Sequence, residues 1–131
     1  MRKLLILIVF VGIALPSFAQ QTYSAVKTST EGGRWEIIQS PIVRRITIKL
    51  DKFTGKTYQL VETSTKSYSW QEILWIGEML EEKYKNKINY QLFTGGLTVK
   101  DTYLINIHTG QTWMLYGDTS DNSIFWATMI E

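Results

Sequence analysis

Apolar and polar residues alternate with a period of two through Ile46, Ile48 and Leu50, which are separated by Thr47, Lys49 and followed by Asp51. That period is the signature of a half-buried β-strand. Before it, Arg34-Trp35-Glu36-Ile37-Ile38 reads as a short strand stopped at Ser40-Pro41. After it, Asp51-Lys52-Phe53-Thr54-Gly55-Lys56 reads as a hairpin loop, and Thr57 to Val61 as the return strand with Tyr58 and Leu60 on the apolar side. In that loop Asp51 can accept backbone N–H groups and Gly55 can supply the positive φ that a bulge needs.

The same pattern recurs 55 residues later without a gap. Trp35 aligns with Tyr90, Ile37 with Leu92, Leu50-Asp51 with Ile105-Asn106, Thr54-Gly55 with Thr109-Gly110, Tyr58 with Trp113 and Leu60 with Leu115. Asn106 in place of Asp51 keeps the turn-capping oxygen, which marks the position as structural. With one residue inserted, Tyr68 to Ile73 aligns with Ile124 to Met129, a fourth strand in each copy. Each repeat is one supersecondary unit that must bury a face against its neighbour. The expected fold is therefore all-β, with eight short antiparallel strands in two four-strand meanders. A barrel or closed sandwich would remove the sheet edges. Aligned positions are expected to share a face, so Trp35, Ile48, Tyr58 and Leu60 should join Tyr90, Tyr103, Trp113 and Leu115 in one core.

Between the repeats the signals conflict. Ser69-x-x-Glu72 has the form of a helix-capping box, but the repeat assigns Trp70 to Ile73 to a strand, and the repeat takes precedence. One short helix near residues 77–85 is expected, supported by the Glu81–Lys85 spacing, with Gly77 and Asn86 as its ends.

The N-terminal pattern concerns location. Met1-Arg2-Lys3 is a positive start, Leu4 to Leu15 is apolar, Pro16 breaks the segment, and Ser17-Phe18-Ala19 ends in small residues. Residues 1–19 read as a signal peptide, too short in its apolar part for the roughly 20 residues of a membrane span. Residues 20–33 read as a flexible lead-in, and 34–131 as one β domain made of repeats 34–73 and 89–130. Removing Arg2 and Lys3 takes the 14 Lys+Arg to 12, equal to the 12 Asp+Glu, so the processed chain is formally neutral. That leaves no electrostatic footprint for nucleic acid, and no stable membrane insertion is expected after cleavage. With no cysteine in the chain, thiolate metal sites, Cys nucleophiles and disulfides are excluded.

Chemistry-bearing residues are sparse. His108, the one histidine, sits in a turn equivalent to Phe53, a poor place to hold a catalytic base. Glu36 and Glu72 are strand-borne and could oppose each other as a carboxylate pair, whereas Glu78, Glu81 and Glu82 read as a solvated face. Asp118, Asp121 and Asn122 offer oxygens for calcium but lack the pattern of a dedicated loop. No catalytic residue, metal site or cofactor is assigned. Trp75 and Tyr84, in the segment peculiar to the first repeat, are the candidate exposed contact residues for a ligand.

The Asp-x-x-Thr-Gly turn followed by an aromatic resembles the repeat of quinoprotein-type β-propellers. However, Tyr58 and Trp113 fall three residues after the glycine instead of four, and two repeats are too few blades. The chain is more similar to small exported proteins of bacteria, especially of the Bacteroides group. These carry two hairpins of the form (Leu/Ile)-(Asp/Asn)-x-x-Thr-Gly-x-Thr-(Trp/Tyr), matched here by Leu50 to Tyr58 and Ile105 to Trp113. The resemblance implies export and the paired-hairpin fold, and no particular activity. The functional expectation is an exported non-enzymatic binding or interaction module, periplasmic or extracellular, whose partner is a protein or glycan. The alternatives are a carboxylate-based hydrolase acting on glycan or cell wall, and a structural or inhibitor protein that caps a partner.

Overall fold

The computed structural model describes residues 26–28, 32–40, 46–77, 84–95, 98–118 and 123–129. The protein is all-β. Strands β1 (Val26–Thr28), β2 (Trp35–Gln39), β3 (Thr47–Asp51), β4 (Thr57–Glu62) and β5 (Tyr68–Glu72) form one sheet in sequence order. Strands β6 (Leu74–Ile76), β7 (Tyr90–Thr94), β8 (Thr102–Asn106), β9 (Thr112–Gly117) and β10 (Ile124–Thr128) form a second sheet in the order β6-β10-β9-β8-β7. All eight strands read from the repeats are present, each four-strand meander within its own sheet.

Of the two closures expected, a barrel and a sandwich, the structure has the sandwich: two separate sheets stack on each other. Two features differ from the expectation, for each meander gains an extra edge strand. Val26–Thr28, within the expected flexible lead-in, pairs antiparallel with β2, and a Val-Lys-Thr segment suits such an edge. Leu74–Ile76 leaves the first sheet directly after β5 and pairs parallel with β10 of the second. The helix expected near residues 77–85 falls largely on residues 78–83, which lie outside the described residues. Its proposed ends, Gly77 and Asn86, both have positive φ (101° and 60°).

The two hairpin turns are built alike. Gly55 N donates to Asp51 O at 2.8 Å and Gly110 N to Asn106 O at 2.9 Å, with φ of 77° and 79° at the two glycines. Asp51 Oδ1 accepts from Phe53 N, while Asn106 Oδ1 accepts from His108 N and Thr109 N. The threonine before each glycine caps the far side: Lys56 N donates to Thr54 Oγ1 and Gln111 N to Thr109 Oγ1. The Asp/Asn, Thr and Gly of the Asp/Asn-x-x-Thr-Gly motif thus each satisfy a backbone group that the turn leaves without a ladder partner.

Strand register is also conserved between the copies. Trp35 pairs with Asp51 as Tyr90 pairs with Asn106, and Lys49 with Tyr58 as Leu104 with Trp113. Burial is not conserved, and here the expected common face is wrong. In the first sheet the buried face carries Glu36, Ile38, Ile48, Leu50 and Thr57. In the second it carries Tyr90, Leu92, Leu104, Trp113, Leu115 and Trp126. Under the 55-residue equivalence these are opposite faces. Trp35 is 47% exposed while its counterpart Tyr90 is fully buried. Tyr58 and Leu60 lie on the outer face of their sheet, whereas Trp113 and Leu115 are at 0% exposure. Tyr103 likewise faces outward although its counterpart Ile48 is core. The sheets stack front to back, not front to front.

Candidate functional site: two open sheet faces

The sheet–sheet interface is an aromatic cluster anchored by a few polar contacts. Trp113 packs edge-on against Trp75 at 5.1 Å between ring centroids and lies 6.1 Å from Tyr90; Trp75 is 6.0 Å from Trp126. Trp126 Nε1 donates to Thr57 Oγ1 across the interface at 2.7 Å in a buried setting. Asn89 and Tyr90 both donate their backbone N–H to Lys52 O, and Asn89 Nδ2 donates to Phe53 O. Gly55 lies directly on the Tyr90 ring, so close that a Cβ there would be 3.0 Å from it. The first hairpin is thereby clamped onto the start of β7.

Among the predicted contact residues, Trp75 is not exposed. It sits on β6 in register with Trp126 and packs into the core, because the parallel pairing with β10 turns it inward. Tyr84 is 38% exposed, stacks edge-on with His108 at 4.7 Å and lies beneath the Lys87 ammonium. His108 Nε2 lies 3.1 Å from Ile88 O, which makes it part of the scaffold joining this turn to the segment before β7. The structure brings Tyr84 and His108 together, while Trp75 packs with Trp113 and Trp126.

The carboxylates do not form a pair. Glu36 is buried on the inner face of β2, while Glu72 lies three strands away on β5, phased with the outer face and 3.4 Å from the Lys56 ammonium. A cleft of about 360 Å³ opens beside β5, lined by Gln59, Val61, Gln71, Glu72, Ile73, Leu74, Ser123 and Ile124. Glu72 is its one carboxylate among the described residues. Asp121 and Asn122 of the suggested calcium loop lie outside the described residues. Among the described residues, no three His, Cys, Asp or Glu side chains come together as a metal site. No helix among them is long and apolar enough to cross a membrane.

What distinguishes the surface is its two open sheet faces. On the first sheet, Trp35, Tyr58 and Trp70 point outward around Lys49, whose ammonium lies 5.5, 4.8 and 4.8 Å from the three ring centroids. Arg34 packs against Trp35 and forms a two-pronged ion pair with Asp51 (2.9 and 2.7 Å). On the second sheet, Phe93 stacks near Tyr103 and Tyr116 lies parallel to Phe125 at 5.9 Å. Phe93 is 59%, Leu74 69% and Ile76 58% exposed. No charged side chain occurs at the outward positions of β6 to β10. The sequence carried the signal for this face in the runs Thr-Tyr-Leu-Ile-Asn and Thr-Trp-Met-Leu-Tyr, which are apolar on both phases of the strand. Strands that read so are usually covered on both sides.

Comparison with protein-family models, curated proteins and solved structures finds no match.

Proposed function

We propose that this protein is an exported, non-enzymatic interaction module whose contact surfaces are the outer faces of its two sheets. The observation that carries this reading is the outward cluster of Trp35, Tyr58 and Trp70 around Lys49. Contiguous exposed apolar surface on a small domain marks a site of contact, and aromatic rings provide large area at low entropic cost. Several of the buried polar side chains serve turns and loop contacts. Asp51, Asn89 and Asn106 all bond backbone groups, and among the described residues the cleft holds no carboxylate besides Glu72 with which to share acid–base work. Location outside the cytoplasm rests on the signal-like residues 1–19 and on the resemblance to small exported bacterial proteins.

The test is binding by the processed protein to envelope extract and to a glycan array, beside a Trp70→Arg variant. Specific capture that disappears in the variant, with thermal unfolding unchanged, is the expected result. Capture that survives the substitution, or release of soluble fragments from cell-wall material, would contradict the reading. The second outcome would transfer attention to Glu72 and its cleft.

A further inference from the structure

The two open faces are chemical copies of the two faces already pressed together inside the chain. The outer face of the first sheet is equivalent, position for position, to the buried face of the second: Trp35 to Tyr90, Tyr58 to Trp113, Trp70 to Trp126. The outer face of the second sheet is equivalent to the buried face of the first: Phe93 to Ile38, Ile105 to Leu50, Thr112 to Thr57. One surface therefore ends the stack at one side, and the surface that fits it ends the stack at the other. We infer that the outer face of the first sheet docks onto the outer face of the second sheet of another copy of this chain, head to tail. This inference rests on the interaction reading above and names its partner.

Two contacts within the chain specify what the contact between copies should contain. Inside the chain, the Tyr90 ring covers Gly55; the equivalent pair, Trp35 and Gly110, is unfilled, with Trp35 47% exposed and open space around Gly110 where a Cβ would stand. Gly110 provides the flat backbone on which Trp35 of the next copy lies. Inside the chain, Trp126 Nε1 donates to Thr57 Oγ1. Trp70 of one copy and Thr112 of the next are the equivalent donor and acceptor. The established sheet–sheet interface is thus continued, not invented.

The arrangement departs from its template at Lys49, where the buried copy has Leu104. An ammonium over three aromatic rings must be carried into the contact, and the facing sheet already holds the Lys100 ammonium 5.4 Å from the outward Tyr116 ring. Desolvating the Lys49 ammonium weakens association, so the assembly is reversible and depends on concentration. Because the contact is heterologous, it leads to a ring if the rotation closes and to a filament if it does not.

Sedimentation velocity of the processed chain over a dilution series tests this, with Trp35→Glu and Phe93→Glu as face variants. Both side chains are largely exposed, and thermal unfolding checks that each variant folds. The native chain should grow beyond a dimer as concentration rises, and each variant alone should stay monomeric. An equimolar mixture of the two variants should recover a two-chain complex, since each retains one good face. A native chain that is monomeric throughout, or a Phe93→Glu variant that still dimerises alone, overturns the head-to-tail contact. If the native chain is monomeric yet Trp70→Arg still abolishes capture of an envelope or glycan ligand, the second copy is wrong and the interaction module stands. Failure of both measurements removes both.

Discussion

Asp51 and Asn106 occupy the same place in two copies of one turn, and the difference between them isolates a single charge. Both side-chain oxygens accept turn N–H groups, but only Asp51 holds the Arg34 guanidinium. Burial of Asp51 by itself would raise its pKa. The Arg34 guanidinium, the Phe53 N–H and the Thr54 side chain outweigh it and hold the carboxyl below the ordinary value. A carboxylate whose folded pKa is depressed adds stability above its unfolded pKa of about 3.9, and loses it as pH falls through the folded value. Asp51→Asn should therefore be less stable than the native chain at neutral pH, and the gap should narrow below about pH 4 and close only below the depressed folded value. Urea unfolding at several pH values measures it, and a gap constant with pH would show that the charge is irrelevant.

The turn glycines give a second comparison at this scale. Gly55 and Gly110 share the left-handed conformation, which costs an alanine about 1–2 kcal/mol at either site. Only Gly55 also lies on a buried ring, with the Cβ position 3.0 Å from Tyr90. Gly55→Ala should lose more stability in urea than Gly110→Ala in dilute, monomeric protein. Equal losses would mean that the hairpin is not clamped on Tyr90.

At the scale of the element, strand positions and turns were legible because their causes are local. Period two fixes a strand, and Asp/Asn-x-x-Thr-Gly fixes the turn that joins two of them. The buried side of each strand was not legible. Trp-x-Ile and Tyr-x-Leu look like core wherever they occur, and both phases of β8 and β9 are apolar. Sequence equivalence then assigned Tyr58 and Trp113 to one core, whereas Trp113 lies between the sheets and Tyr58 on the outside of the stack. The misplacement of Trp75 has a different cause. Its inward orientation depends on the parallel pairing of β6 with β10, some 50 residues away in sequence, which no local signal encodes. Trp113→Ala should cost about 3–5 kcal/mol, as expected for a large buried aromatic. Tyr58→Ala, at the aligned position, should cost about 1 kcal/mol or less in dilute protein, as expected for a surface substitution with partial burial. Similar losses at both would restore the common core.

The molecule as a whole is two meanders stacked front to back, and this single fact accounts for both its stability and its open surfaces. The repeat in the sequence indicated two units and a shared interface. It did not indicate that like faces avoid each other, because the choice between front-to-front and front-to-back depends on how β5 leaves one sheet and β6 joins the other. Stacking of this sense leaves two unlike, complementary ends, which a front-to-front sandwich does not have. The two repeats that are too few for a propeller within one chain are then a unit that several chains can extend.

Hydroxyl-radical footprinting of residues 20–131 at high dilution, read residue by residue by mass spectrometry, tests the front-to-back arrangement most directly. Trp35, Tyr58 and Trp70 should oxidise readily, while their aligned counterparts Tyr90, Trp113 and Trp126 stay protected until the protein unfolds. Equal protection within each aligned pair would place both members in the shared core and contradict the arrangement.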